Sequence, residues 1–231
     1  MNNNVIETYE VCKSYKIDDK NIDVLKNITI QVKKGEFLSI MGPSGSGKST
    51  LLYMLGAMDN VTSGKINVFG NDVTKFNDKQ LSKLRVENIG FIFQSFNLVQ
   101  NLSVEENIML PYWIRHKVGN PDRKKLDDII EIVGLKDRRK HKPYQLSGGQ
   151  QQRVAIGRAL INDPDIILAD EPTGNLDSKM GKEIMDLLLE LNRRGKTIIH
   201  VTHSLDCAKY GTRIVHINDG VIVKEEHLNI T

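Results

Sequence analysis

The chain has 231 residues, 39% hydrophobic and 26% charged, which are ordinary proportions for a globular protein long enough to bury a sizeable core. Its net charge of +3 gives little electrostatic reason to bind nucleic acid, and no apolar stretch approaches the roughly 20 residues needed to cross a bilayer. Cys12 and Cys207 fit no paired metal or redox spacing, and MNNNVIETYE lacks the basic-then-apolar layout of a signal peptide, so a cytoplasmic protein is expected.

Two segments of strand character come first. VIETYEVCK (5–13) is expected to pair with residues 22–32, where Ile28, Ile30 and Val32 alternate as a half-buried strand does. EFLSIM (36–41) is an apolar run leading into a glycine-rich loop, and KSTLLYMLGAM (48–58) follows with helical character. GKINVFG (64–70) returns as a strand between glycines, and IGFIF (89–93) is another apolar strand ending at Gln94. From 96 to 145 the character changes. SVEENIMLPYWIRHK (103–117) opens with a capping box, Ser103 with Glu106 three residues on. PDRKKLDDIIEIVG (121–134) has Pro121 near its start, Leu126, Ile129, Ile130 and Val133 on one face, and Gly134 as a stop. This stretch reads as a helical insertion between core segments 1–95 and 146–231, and KDRRKHK (136–142) within it reads as a solvated helix end.

Strands and helices then alternate again. A helix over 149–162 leads to the buried strand DIILAD (165–170). A helix over 178–194 carries Ile184, Leu187, Leu188 and Leu191 on one face and stops at Gly195. TIIHVT (197–202), a short helix, and a hairpin over 213–226 with an NDG turn complete the chain. The pattern predicts an α/β fold with a largely parallel sheet and ligands at the carboxyl ends of its strands.

The motifs sit where that fold would place a site. GPSGSGKS (42–49) satisfies G-x-x-x-x-G-K-[ST] between a strand and a helix, the context a P-loop requires. Its glycines let backbone N–H groups face phosphate oxygens, Lys48 offers charge to the β- and γ-phosphates, and Ser49 offers a hydroxyl to Mg²⁺. Asp170 and Glu171 end a buried strand: the first is placed to hold Mg²⁺ through water, the second to polarise an attacking water. Gln94 ends another strand, where an amide reaches the metal or the water, and His203 follows a third, where it can bond a phosphate oxygen. His200, inside that strand, is expected only to pack. His203, Asp206 and Cys207 lie close together but lack a fourth ligand, so no metal site is read there. A second glycine-containing helix start, LSGGQ (146–150), has the form of a further phosphate site, although one nucleotide needs only one.

GPSGSGKST, Gln94, LSGGQ, IILADE, GNLD (174–177) and His203 occur in the order and spacing of the ATPase subunit of ABC transporters, which the chain resembles over nearly its whole length. The resemblance implies a P-loop NTPase core with an N-terminal antiparallel β part and an inserted helical part. It implies ATP and Mg²⁺ as ligands, with Gly42, Pro43, Ser44, Gly45, Ser46, Gly47, Lys48, Ser49 and Thr50 as the P-loop and Tyr15 stacked on adenine. Gln94 becomes the Q-loop glutamine and a metal ligand beside Ser49 and Asp170, Glu171 the base, Asp177 the D-loop acid, and His203 the switch histidine. Ser147, Gly148, Gly149 and Gln150 would cap the γ-phosphate held by a second copy, which accounts for the two loops: they serve two sites of a head-to-tail homodimer. Longer stretches, such as GFIFQSFNLVQNLSVEENIMLP and ADEPTGNLDS, resemble the branch of macrolide exporters, lipoprotein-release and division ATPases, the MacB, LolD and FtsE type. That implies an integral membrane permease as partner, an extracytoplasmic adaptor beyond it, and attachment to the inner face of the membrane through the permease. A division-type ATPase that signals without transport shares the same site chemistry. Ser204 departs from the aspartate that many relatives carry after the histidine.

Overall fold

Two sheets form in the computed structural model, which describes residues 3–116 and 123–228. The larger sheet takes its strands from β3 (Phe37–Met41), β6 (Ile89–Ile92), β7 (Ile166–Asp170), β8 (Thr197–Thr202), β9 (Arg213–Asn218) and β10 (Val221–His227). Its order is β10-β9-β3-β8-β7-β6, parallel throughout except for β10, which returns antiparallel from β9. The turn between those two is Asp219-Gly220, both at positive φ (48° and 79°), as a tight hairpin with right-handed strand twist demands.

Side chains of the parallel strands alternate between two cores. Ile166 and Leu168 of β7 join one cluster while Ile167 and Ala169 join the other, and Ile198 and Ile199 of β8 divide in the same way. Burial on both faces explains why these strands read as unbroken apolar runs. On one face lie α1 (Lys48–Leu55) and a second, antiparallel sheet, order β2-β1-β4-β5, built from β1 (Asn4–Ile17), β2 (Lys20–Lys33), β4 (Ser63–Val68) and β5 (Asn71–Asp72). The expected pairing of the first two segments is present, with Thr8 opposite Ile30. On the other face lie α3 (Val104–His116), α4 (Arg123–Ile132), α5 (Gly148–Leu160) and α6 (Ser178–Arg193). None of the described helices is long and apolar enough to cross a membrane.

Ser103 caps α3 as expected: its hydroxyl accepts from the Glu106 N–H (3.3 Å) and Glu106 Oε2 accepts from the Ser103 N–H (2.7 Å). Leu126, Ile129, Ile130 and Val133 are buried and Gly134 has φ 68°. Pro121, read as an initiator of that helix, lies outside the described residues. Three features differ from the sequence reading. The first helix ends at Leu55 rather than 58, because Gly56 caps it and Ala57 turns to φ 54°. A further helix, α2 (Asp78–Asn88), stands on a capping box between Asn77 and Gln80; it has no fully buried residue, and Leu81 and Leu84, half-buried against the core, make too short an apolar pattern to read as a stripe. The run at 136–142 is not simply solvated: Arg139 pairs with Glu105 and Asp127, and Lys140 pairs with Glu105, which ties this stretch to α3 and α4.

His200 is packed, as expected, and fully buried. Ser39 Oγ donates to the Ala208 carbonyl (2.8 Å), so at the 2.7 Å contact His200 Nε2 must be the donor to Ser39 Oγ. Nδ1 is left buried without a partner among the described residues. Protonating it would bury a charge with no acceptor, and burial pushes the His200 pKa down to about 3. Because the folded-state pKa is depressed, this group leaves stability intact above its unfolded value near 6.5 and withdraws it as pH falls toward about 3. Urea unfolding at pH 7.5 and pH 5 should therefore show wild-type protein losing up to about 2 kcal/mol more than His200→Leu over that interval. Equal losses in the two proteins would contradict this assignment.

Candidate active site

The parallel strands point their carboxyl ends to one edge, and four of them deliver the residues singled out in the sequence. The P-loop follows β3, Gln94 follows β6, Asp170 ends β7 with Glu171 next after it, and His203 follows β8. In an open α/β sheet that edge is where ligands bind.

Residues 42–50 turn sharply into α1. Gly47 has φ 97°, and a Cβ there would meet Leu25 Cδ2 at 2.7 Å and the Val24 carbonyl at 2.9 Å, so only glycine lets the loop lie this close to β2. Lys48 is 5% exposed. Its ammonium donates to the Pro43 carbonyl (2.8 Å) and has no carboxylate partner among the described residues. In the same loop the buried Ser46 hydroxyl has no partner among the described residues. A nearly buried cation served only by a neutral carbonyl is costly unless an anion joins it. Lys48 is thus a cation suited to an anionic ligand at this loop.

Ser49 Oγ donates to Asp170 Oδ1 at 2.8 Å, which ties the start of α1 to the end of β7. Tyr53 donates to Asp170 Oδ2 at 2.6 Å, and burial, followed by Asp170, raises the Tyr53 phenol so that it stays a donor. The Asp170 carboxylate and the Ser49 hydroxyl are hard oxygen donors side by side, a fit to Mg²⁺ by ligand type.

Glu171 lies one residue past β7 at φ 42°, an uncommon conformation for a side chain of its size. Its N–H donates to the Val201 carbonyl (3.1 Å) and its carbonyl accepts from the Gly174 N–H (3.0 Å), which holds the turn. His203 Nδ1 lies 3.2 Å from Glu171 Oε2, with the histidine side chain 63% exposed. Gln94 packs on the loop after Glu171: a Cβ at Gly174 would meet Gln94 Nε2 at 2.6 Å, and Asn175 Nδ2 donates to the Gln94 carbonyl (2.9 Å). Arg158 of α5 donates to the carbonyls of Phe96 and Asn97, both at positive φ, and so fixes the chain leaving Gln94.

The LSGGQ residues are elsewhere. Ser147 caps α5, accepting from the Gln150 N–H (3.3 Å), while Gln150 Oε1 accepts from the Ser147 N–H (3.0 Å). Ser147, Gly149 and Gln150 line a groove of about 470 Å³ with Arg153, Met180 and Glu183, and no P-loop residue borders it. Asp177 is likewise a cap, accepting from the Met180 N–H at 2.8 Å. Ser204 caps the short helix α7 (Leu205–Ala208). Tyr15 lies on β1 with its hydroxyl on Asp59 and near Thr50, the residue after Ser49. Sequence reasoning missed Tyr53, Lys13 and Asp59. Tyr53 had a signal, since it stands four residues after Ser49 and so on the same helix face.

The ABC transporter family model matches residues 25–174. The ABC transporter ATP-binding protein MJ0796 of Methanocaldococcus jannaschii is 47% identical over 97% of each chain. The macrolide export ATP-binding/permease protein MacB of Bdellovibrio bacteriovorus is 45% identical over 97% of this chain, which spans only 34% of that longer protein. The dimeric structure of MJ0796 in a post-hydrolysis state, bound to ADP and Pi, superposes with a TM-score of 0.90, covering 98% of this chain and all of that one at 44% identity. The chain belongs to the ATP-binding subunits of ABC transporters and is an ABC ATPase.

Proposed function

We propose that two copies of this chain close head to tail on two ATP molecules and that hydrolysis drives a separate membrane permease. The observation that carries the reading is the separation of the two phosphate-type loops within one chain: no P-loop residue borders the groove beside Ser147. A loop facing away from its own nucleotide makes sense if it completes the nucleotide of another copy. The dimer of MJ0796 supports this.

In each site residues 42–50 hold the phosphates, with Lys48 meeting the β- and γ-phosphates. Ser49, Asp170 and Gln94 are the residues that would hold Mg²⁺, which when bound neutralises charge on the transferring phosphoryl group. Glu171 takes a proton from the attacking water, and His203 steadies Glu171 and the γ-phosphate. Ser147 and the N–H groups of Gly148 and Gly149 meet the γ-phosphate of the other copy. The Ser147 N–H is already taken by Gln150, so the serine contributes through its hydroxyl. Asp177 orders the loop facing the opposite site, and Tyr15 carries the base.

Segment 96–145 is proposed as the helical unit that passes motion to the permease, because Arg158 of α5 binds the carbonyls of its first residues, Phe96 and Asn97, just beyond Gln94. Likeness to MacB, whose name joins ATP-binding and permease parts and macrolide export, supports an exporter or extruder of peptide, drug or lipoprotein, held at the inner face of the membrane by that permease, with an extracytoplasmic adaptor beyond it.

Lys48→Ala should abolish tight ATP binding in a calorimetric titration, and near-normal affinity would contradict the P-loop role. Glu171→Gln should bind ATP normally but hydrolyse it slower by a factor on the order of 10² or more. That variant should run as a monomer without nucleotide and as a dimer with ATP in size-exclusion chromatography with light scattering, because bound nucleotide stabilises the closed form by mass action. Adding Ser147→Arg should abolish the dimer, and a dimer left undisturbed would contradict the trans role of LSGGQ.

A further inference from the structure

Next to the P-loop, three side chains form a set whose purpose the roles above leave open. Lys13 of β1 donates to Asp59 Oδ1 and to the Asn60 carbonyl, each at 2.6 Å. Tyr15, two residues further along the strand, donates its hydroxyl to Asp59 Oδ2 at 2.6 Å. The Lys13 ammonium also sits 4.7 Å from the centre of the Tyr15 ring. Asp59 therefore binds with both oxygens, one to the lysine and one to the tyrosine. Burial works against the Asp59 charge, yet Lys13 and Tyr15 hold its carboxyl below the usual carboxylate range, so it is a charged acceptor at neutral pH.

These contacts fix the ring in two ways. The hydroxyl is tethered at one end, and a cation covers part of one face. Lys13 is only 8% exposed, whereas Tyr15 is 38% exposed, so the ring is the accessible end of the set. A free tyrosine on a strand exchanges rotamers and loses that freedom when it stacks. A tethered one has lost it already, which lowers the cost of binding a planar partner. The Tyr15 hydroxyl also reaches Thr50, the last residue of the phosphate loop, in the first turn of α1.

We propose that Lys13 and Asp59 are positioning residues that preset the Tyr15 ring as the platform for the purine base, so that base affinity is built into the chain before the nucleotide arrives. The inference rests on the reading that residues 42–50 hold a nucleoside triphosphate and that Tyr15 meets its base. Neither Lys13 nor Asp59 touches the phosphates in this scheme, and that separates it from a general brace of the loop.

Titration calorimetry of the full chain with ATP and with inorganic tripolyphosphate, in the same Mg²⁺ buffer, tests it. Asp59→Asn should weaken ATP binding about three- to tenfold and change tripolyphosphate binding by less than about twofold. Tyr15→Phe, which keeps the ring and removes the hydroxyl's bonds to Asp59 and Thr50, should shift ATP alone in the same direction, and it serves if the Asp59 variant folds poorly. Equal weakening of both ligands would make the set a brace of the phosphate loop and overturn the proposal, as would no weakening of either. Wild-type protein that bound neither ligand would overturn the nucleotide reading itself, and with it this inference.

Discussion

The hydrogen bond from Ser49 to Asp170, 2.8 Å long, joins the start of α1 to the end of β7, and the rest of the site is arranged around it. β8 lies between β3 and β7 in the sheet, so the contact bridges two strands that are not neighbours. It requires α1 to cross over the sheet edge with its first turn against the carboxyl ends, which Gly47 permits at φ 97°. Once the edge is set, Glu171 follows Asp170 directly and His203 arrives beside it from β8. Tyr53 fills the other oxygen of Asp170 and keeps the carboxylate from turning away.

A second constraint couples this edge to the far groove. Gln152, buried in the helix that LSGGQ opens, donates to the Pro172 carbonyl at 2.8 Å, one residue past Glu171. Arg158 of the same helix holds the chain beyond Gln94. Gly149 lies so close to α6 that a Cβ would meet Met180 Sδ at 2.8 Å. The helix that presents Ser147 is therefore locked to two segments of its own chain's nucleotide edge. If Ser147 serves the opposite copy, a shift at one nucleotide has a packed route to the other, and through Arg158, which binds Phe96 and Asn97, to the start of 96–145.

The parts legible in the sequence were those in which chemistry and spacing are local. The P-loop is contiguous, and its flanking strand and helix each carry their own periodicity, so its place at a strand end followed. The same holds for Asp170 and Glu171 on their buried run. Contacts made across long separations left no pattern: Lys13 and Asp59 are 46 residues apart, and Glu105 and Arg139 are 34 apart. α2 was missed for another reason, since only Leu81 and Leu84 pack half-buried on the core and no fully buried stripe marks it. The order of the parallel strands depends on crossover packing, which strand composition does not encode.

The most direct test of a site shared between two copies is complementation between two inactive chains. Lys48→Ala disables the P-loop and leaves Ser147 intact, and Ser147→Arg does the reverse. In a mixed pair, one composite site then combines an intact P-loop with an intact LSGGQ, while the other has neither. Mixing the two should restore ATP hydrolysis above the sum of the separate rates, rising with total protein concentration. A mixture no more active than its separate components would place both loops at one nucleotide and contradict the shared site.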